Sequence, residues 1–401
     1  MADEAELMQF READAIVPRR AMALAPAVAD ADQIIRDFKD PHLELIRLLK
    51  EASEIEHTLL VQYLYAVFSL KPKYDLVAGS FFRNSNDLSG VTVEEMKHLN
   101  QVNQLLVIVG GSPNLLRQDF PYEPDIYPFE LNLEPLSPKT LAKYVYVEAP
   151  STALDRMDPV NIGDPVQLDF LARLYQTLDE GTRPNHLGSL YAAIIKLVEE
   201  FNPTRPAEIP DLTPWIARLK RIKDEGEEGH FKFFKRVFLG THEGFEGKPQ
   251  VWGLDPSHED YPVFALPTNP SAYEGHPNQI LGSADRDLAW LSNLHYWIIL
   301  ILLDLFYRFN RPIYLTLSRN HMTGPLVILG NHLAPRGVGI PFDPLSMGYA
   351  PGVTEAATLR VLRMLLTEAE DWTASLRGDL PDTYPFGSIA DTLSSLPTGN
   401  S

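Results

Sequence analysis

The 401-residue sequence predicts an all-α protein built round a four-helix bundle, with long irregular loops and additional C-terminal helices. Three observations predict it. Several long segments repeat apolar residues at steps of three or four, the spacing of a helix with one buried face. No two alternating segments read as a hairpin, and nothing recurs at a fixed period. Two Glu-x-x-His pairs, Glu95–His98 and Glu227–His230, each lie on the apolar stripe of their helix.

Composition narrows the chemistry. The chain is 45% hydrophobic and 22% charged, as in an ordinary globular protein. Its net charge of −19 argues against nucleic acid and anionic membranes as partners. With no cysteine there is no disulfide, no iron–sulfur cluster and no thiol nucleophile, so a metal site must use histidine and carboxylate. The acidic N-terminus lacks the order of a signal peptide. The most apolar run, Tyr296 to Phe306, contains Asp304 and is too short to span a bilayer, so it reads as a buried helix. A cytoplasmic protein is expected.

Residues 1–40 read as an N-terminal arm, Ala-rich and broken by Pro18 and Pro26. Pro41 opens a helix that runs to Leu70 and stops at Lys71-Pro72. A second covers 92–109 and ends at Gly110-Gly111 and Pro113. The aromatic, Pro-rich stretch that follows, to Pro138, is a loop or a lid. A short helix at 138–148 is stopped by Pro150, and irregular chain continues to about 163. The third and fourth long helices cover 186–201 and 214–238, joined by a Pro-rich turn. After a Gly-, Pro- and His-containing loop come helices at 285–309 and 354–377, with a shorter apolar helix and the segment APRGVGIPFDP between them. The organisation expected is thus an arm (1–40), a bundle (41–240) and a C-terminal helical extension packed on it (241–401).

The stripes carry the chemistry. On the first helix Leu45, Leu49, Ala52, Glu56, Leu59, Tyr63 and Ala66 share one face, so a single carboxylate points inward. On the second, Glu95 and His98 lie with Val102, Leu105 and Val109, while Glu94 falls on the other side with Lys97. On the fourth, Glu227 and His230 lie with Leu219 and Phe234. Residues three apart on a helix are neighbours. Two Glu-x-x-His pairs with carboxylates from the remaining helices make a dimetal site inside a bundle. Several buried carboxylates without cations would be intolerable. No Gly-x-Ser-x-Gly elbow is present, which argues against a serine hydrolase.

The segments EIEHTLLVQYLYAVFSL, VEEMKHLNQVNQLLVIVGGSP, GSLYAAI, DEGEEGHFKFF and LVILGNHLAPRGVGIPFDP resemble the ferritin-like domain of iminophenyl-pyruvate dimer synthases, which are related to the violacein and rebeccamycin chromopyrrolate-forming proteins. The resemblance covers about residues 42–345. It implies a ferritin-like bundle, non-haem metal and oxidative chemistry on amino-acid-derived imines in natural-product biosynthesis. It implies Glu56, Glu95, His98, Glu227 and His230 as ligands of one or two iron ions, or of another divalent metal.

One departure stands out. The family's third helix carries a glutamate where this chain has Ser189. Antiparallel pairing puts Ser189 level with Glu227, and Glu199 and Glu200 are too far along the helix to replace it. Glu148 could swing in instead. Otherwise the gap is open to water or substrate, or the site is degenerate. The candidate catalytic residues are therefore Tyr63, Tyr191 and Ser189. His57 is expected to point away and be exposed, and His295 to be structural.

The function expected is that of a non-haem metal-dependent oxidoreductase, of diiron type, that oxidises or couples a small aromatic amino-acid-derived amine or imine with dioxygen. A homodimer is compatible with it. The alternative is a ferritin-like scaffold or binding protein that has lost its metal.

Overall fold

Helix α1, Pro41–Ser69, starts where its cap is strongest. The Asp40 carboxylate accepts hydrogen bonds from the His42 and Leu43 amides at 2.9 Å each, and Pro41 supplies the fixed φ of a first turn. The helix ends as Leu70 turns extended and the Lys71 amide bonds to the Pro262 carbonyl. The computed structural model to which these elements belong describes residues 34–81, 86–117, 130–155, 158–178, 186–246, 250–344 and 354–397. Most of the expected arm, 1–33, and the middle of the expected lid, 118–129, lie outside the described residues.

Helix α2, Leu88–Ile108, is capped by Asp87 through the Gly90 amide at 2.7 Å and begins four residues before the expected start at 92. Helix α3, Pro138–Glu148, is capped by Ser137 through the Thr140 amide. Helix α4, Pro165–Leu178, is absent from the sequence reading. Its buried stripe is short, and its place is set by tertiary contacts: Phe170 meets Phe238 edge-on, and the Lys235 ammonium sits 4.2 Å from the Phe170 ring centre. Helix α5 is Leu187–Phe201. The fourth long helix is interrupted: α6, Thr213–Asp224, passes through a π-helical turn, Glu225–His230, into α7, Phe231–Leu239. It stops at Gly240, whose φ of +71° favours glycine.

In the bundle α1 lies against α2 and α5, α5 lies against α6, and α3 lies against α7. The third rod is thus assembled from two pieces, with α3 and α5 taking successive stretches of the α6–α7 rod. At the join, His186 stacks on Tyr146 with ring centroids 4.8 Å apart, and its Nδ1 is 2.9 Å from the Tyr146 carbonyl oxygen. Tyr63, Tyr144 and Phe234 tie α1, α3 and α7 together, with centroid separations of 4.7, 5.0 and 5.1 Å.

The C-terminal helices are α8, Ser283–Phe309; α9, Pro312–His321; α10, Val327–Leu333; α11, Glu355–Ser375; and α12, Ser388–Ser395. A second π-helical turn, Met322–Leu326, links α9 to α10. Helix α8 touches α2, and α10 touches α1, where a Cβ at Gly330 would come within 2.6 Å of the Phe68 ring. Among the described residues α8 alone is long and apolar enough to cross a membrane, and 94% of its most apolar window is buried inside the protein. His57 is buried rather than exposed, because α8 covers it: its Nε2 lies 2.8 Å from the Tyr296 hydroxyl. His295 is buried between His321 and the Tyr384 hydroxyl.

Phe234 is fully buried at the point where three helices meet. Replacing it with alanine should lower stability by about 3–5 kcal/mol, the usual cost of a buried Phe→Ala cavity. A urea midpoint unchanged by Phe234→Ala would show that this aromatic cluster does not hold α3 to the bundle.

Candidate metal centre

Three buried carboxylates and two buried imidazoles meet inside the bundle. Glu56 comes from α1, Glu95 and His98 from α2, Glu148 from the last residue of α3, and His230 from the end of the π turn. They form two trios that share Glu95: Glu56, Glu95 and His98, and Glu95, Glu148 and His230. Within each trio one ligand atom per residue lies within 4.8 Å of the others.

Each of the four groups other than Glu95 is held from outside by one partner. The Tyr191 hydroxyl donates to Glu56 Oε1, and the Tyr63 hydroxyl donates to Glu148 Oε1 at 2.5 Å. Nε2 of His98 lies 2.9 Å from Glu225 Oε2, and Nε2 of His230 lies 2.9 Å from Glu94 Oε2. What remains faces inward. His98 Nδ1 is 3.3 Å from Glu95 Oε2 and 3.6 Å from Glu56 Oε2. His230 Nδ1 is 2.9 Å from Glu95 Oε1 and 3.5 Å from Glu148 Oε2. Yet Glu56 Oε2, Glu95 Oε1, Glu148 Oε2 and His230 Nδ1 have no hydrogen-bond partner among the described residues. His230 and Glu95 are close without being aligned as donor and acceptor. Buried polar atoms are rarely left so. Oxygen and imidazole donors converging with their outer atoms already pegged are the arrangement that suits divalent metal ions.

Of the residues the sequence singles out, Glu56, Glu95, His98 and His230 are brought together, and Tyr63 and Tyr191 lie against them. Glu227 is not brought in. Its Oε2 pairs with Lys223 at 2.7 Å on the rim of the site. The cause is the π turn, in which the Phe231 amide bonds back to the Gly226 carbonyl, five residues earlier. The wider turn puts Gly226 inward and rotates Glu227 out of the stripe that a regular helix would give it. The signal was in the sequence: Gly226 and Gly229 within one helical segment disfavour a regular helix. Gly226 also makes room, since a Cβ there would lie 2.9 Å from Glu148 Oε2.

Ser189 does not face the centre either. Helix α5 turns Gly188 and Tyr191 toward it, and Ser189 is half-buried beside them. The carboxylate missing from α5 arrives instead as Glu148, from the other half of the spliced third rod. Glu94, read as lying on the polar side, closes against His230, and Glu225 was not singled out at all.

The charges are strongly interdependent. Burial, which alone would raise Glu95, is outweighed by His98 and His230, which hold it well below the usual carboxylate range. Burial and then the charge of Glu95 push Glu56 up to about 8. Burial would lower both imidazoles, but Glu95 acting on His98, and Glu148 and Glu95 acting on His230, hold them well above their ordinary value. Burial, then Glu148 for Tyr63 and Glu56 for Tyr191, keep both phenols protonated, as hydrogen-bond donors. Without a cation the cluster therefore holds protons on Glu56, His98 and His230.

Next to the centre is a narrow pocket with about 10 Å³ of free room, lined by Tyr191, Gly188 and Gly226, with the Lys223–Glu227 ion pair among its walls.

The comparisons with known proteins follow this geometry. Residues 49–237 match the family model described as Ferritin-like. The chain carries a ferritin-like domain. It holds every residue of the centre and all four outer partners. The chain is also 23% identical, over 313 residues, to the dichlorochromopyrrolate synthase of Lentzea aerocolonigenes. That match covers 65% of this chain and 30% of the relative, so the chain spans under a third of the relative's length. No solved structure matches the chain significantly.

The raised and lowered groups set a pH dependence for the cation-free protein. Glu56 gives up its proton near 4.5 when unfolded but near 8 when folded, so stability falls as pH rises between those values. The raised imidazoles contribute stability that is complete below 6.5 and is lost as pH rises through their folded values. Glu95 acts oppositely, and its contribution is lost only on acidification below 4.5. In chelator the melting temperature should therefore fall from about pH 6 to about pH 9, and saturating Mn(II) should restore most at the alkaline end, where it displaces fewest protons. A flat or rising profile in chelator would contradict this charge assignment.

Proposed function

We propose that this protein is a non-haem metal-dependent oxidoreductase, holding two ions, with iron favoured, that acts on an aromatic amine or imine derived from an amino acid. The observation that carries the reading is the pair of buried trios sharing Glu95, with inward atoms left unpartnered. Glu56, Glu95 and His98 would hold one ion, and Glu95, Glu148 and His230 the other. Redox-active ions bound there would supply electrons for chemistry with dioxygen.

The chain's own residues set the terms of that chemistry. Tyr63 and Tyr191 fix the outer oxygens of Glu148 and Glu56, so the inner oxygens keep their aim. Glu94 and Glu225 fix the ring orientation of the two histidines in the same way. Burial of all five residues of the cluster keeps bulk water from them. The pocket beside Tyr191 has about 10 Å³ of free room, enough for a single molecule as small as water or dioxygen. A larger substrate would enter by parting Lys223 from Glu227 on its rim.

The place in natural-product biosynthesis and the imine substrate class rest on the motif resemblance and on the relative's name, a synthase of dichlorochromopyrrolate. An oxidative coupling and a cytoplasmic location belong to the same reading. The metal-free scaffold loses its main support, because Glu148 supplies from α3 the carboxylate that Ser189 does not supply from α5.

After anaerobic loading with Fe(II), elemental analysis should find about two equivalents per chain. Glu95→Gln should bind well under one, and Glu148→Gln about one, while Glu227→Gln should keep both. Less than one equivalent in the unaltered protein, or a loss in Glu227→Gln as large as in Glu148→Gln, would overturn the assignment. Tyr63→Phe should fold and weaken metal affinity by about 10–100-fold, the usual effect of losing an outer partner, as read by competition with a chelator.

A further inference from the structure

Helix α2 has a second functional side. It turns Glu95 and His98 to the metal centre, and Met96, Lys97 and Asn100 to a different cavity, formed with α1, α8, α9 and the second π turn. That cavity has a free volume of about 430 Å³ and is open to solvent on one side. Its walls are largely apolar. A further apolar void of only about 30 Å³ lies behind, and the two share Leu60, Met96, Leu99, Leu303 and Met322. Methionine is unbranched and adapts its shape, so Met96 and Met322 are a deformable partition. The inner void is lined at one side by the His57–Tyr296 pair.

The polar groups of the outer cavity are few and of one kind. Lys97 and Arg319 line it from α2 and α9, and among the described residues neither has a carboxylate within ion-pair distance. This holds in a chain of net charge −19, where cations are readily paired. Ser318, the neighbour of Arg319 on α9, lines the same cavity. It is completely buried, and its hydroxyl has no hydrogen-bond partner among the described residues. A buried hydroxyl left unpartnered carries a desolvation cost. An acceptor supplied by a ligand would remove it. Asn100 adds an amide beside Lys97.

From this we infer that the cavity binds an amphipathic carboxylate with a flexible acyl tail. The carboxylate would lie between Lys97, Arg319 and the Ser318 hydroxyl, and the tail would lie in the outer cavity along the wall formed by Met96, Leu303, Tyr307 and Met322. Two unpaired cations and an orphan donor select an anionic head. An apolar wall that includes the adaptable side chains of Met96 and Met322 selects a bending tail over a rigid plate. This site is separate from the metal centre and does not depend on its assignment.

Isothermal titration of the full chain with dodecanoate, below its aggregation concentration, should show saturable binding of one molecule. 1-Dodecanol, with the same tail and no charge, should bind at least ten-fold more weakly. The exposed-residue variants Arg319→Glu and Lys97→Glu should each lose at least ten-fold in affinity for dodecanoate and little for the alcohol. Rigid 1-naphthoate should bind more weakly than dodecanoate. Absence of saturable dodecanoate binding, equal binding of acid and alcohol, or affinity unmoved by both charge reversals would overturn the proposal. Tighter binding of naphthoate would overturn the acyl tail.

Discussion

Burying three carboxylates and two imidazoles at one point is the constraint to which the rest of the bundle conforms. Any one of these groups alone in a core would be neutralised or expelled. Together, they hold each other's charge: Glu95 stays ionised because two imidazoles flank it, and Glu56 stays protonated because it is buried and Glu95 is already charged beside it. A cluster of this kind is tolerable with protons and better satisfied with cations. The four outer partners fit that view. Tyr63, Tyr191, Glu94 and Glu225 occupy the outward atoms and leave the inward ones to whatever lies between the trios.

Two departures from regular helical geometry make the cluster. The third rod is spliced, so a helix terminus rather than a helix middle faces the centre, and Glu148 is its last residue. The fourth rod carries a π turn, so a glycine faces inward just where Glu148 comes closest. The two irregularities fit each other. A regular fourth helix would bring a side chain inward against Glu148, and an unbroken third helix would have no need of that carboxylate. Irregular helical turns are costly and gather at functional positions.

Much of this was legible in the sequence, and what was not has a definite cause. Periodicity located the long helices because their buried stripes extend over four or more turns. It placed Glu56, Glu95 and His98 correctly because α1 and α2 are regular through those positions. It misplaced Glu227 because a period of 3.6 cannot register one wide turn, although Gly226 and Gly229 marked the spot. It left Glu148 uncertain because a side chain at a helix end has no stripe to belong to. It missed α4 because three or four buried residues are too few to fix a period. The exposure assigned to His57 failed for a different reason: α8, which covers it, lies more than two hundred residues away along the chain.

The central claim is that two cations sit on either side of the Glu95 carboxylate. Anomalous diffraction at the iron absorption edge, from crystals grown anaerobically with Fe(II), tests it most directly. Two peaks are expected, one among Glu56, Glu95 and His98 and the other among Glu95, Glu148 and His230. No peak inside the bundle, or iron bound at Glu227 with the trios empty, would contradict it.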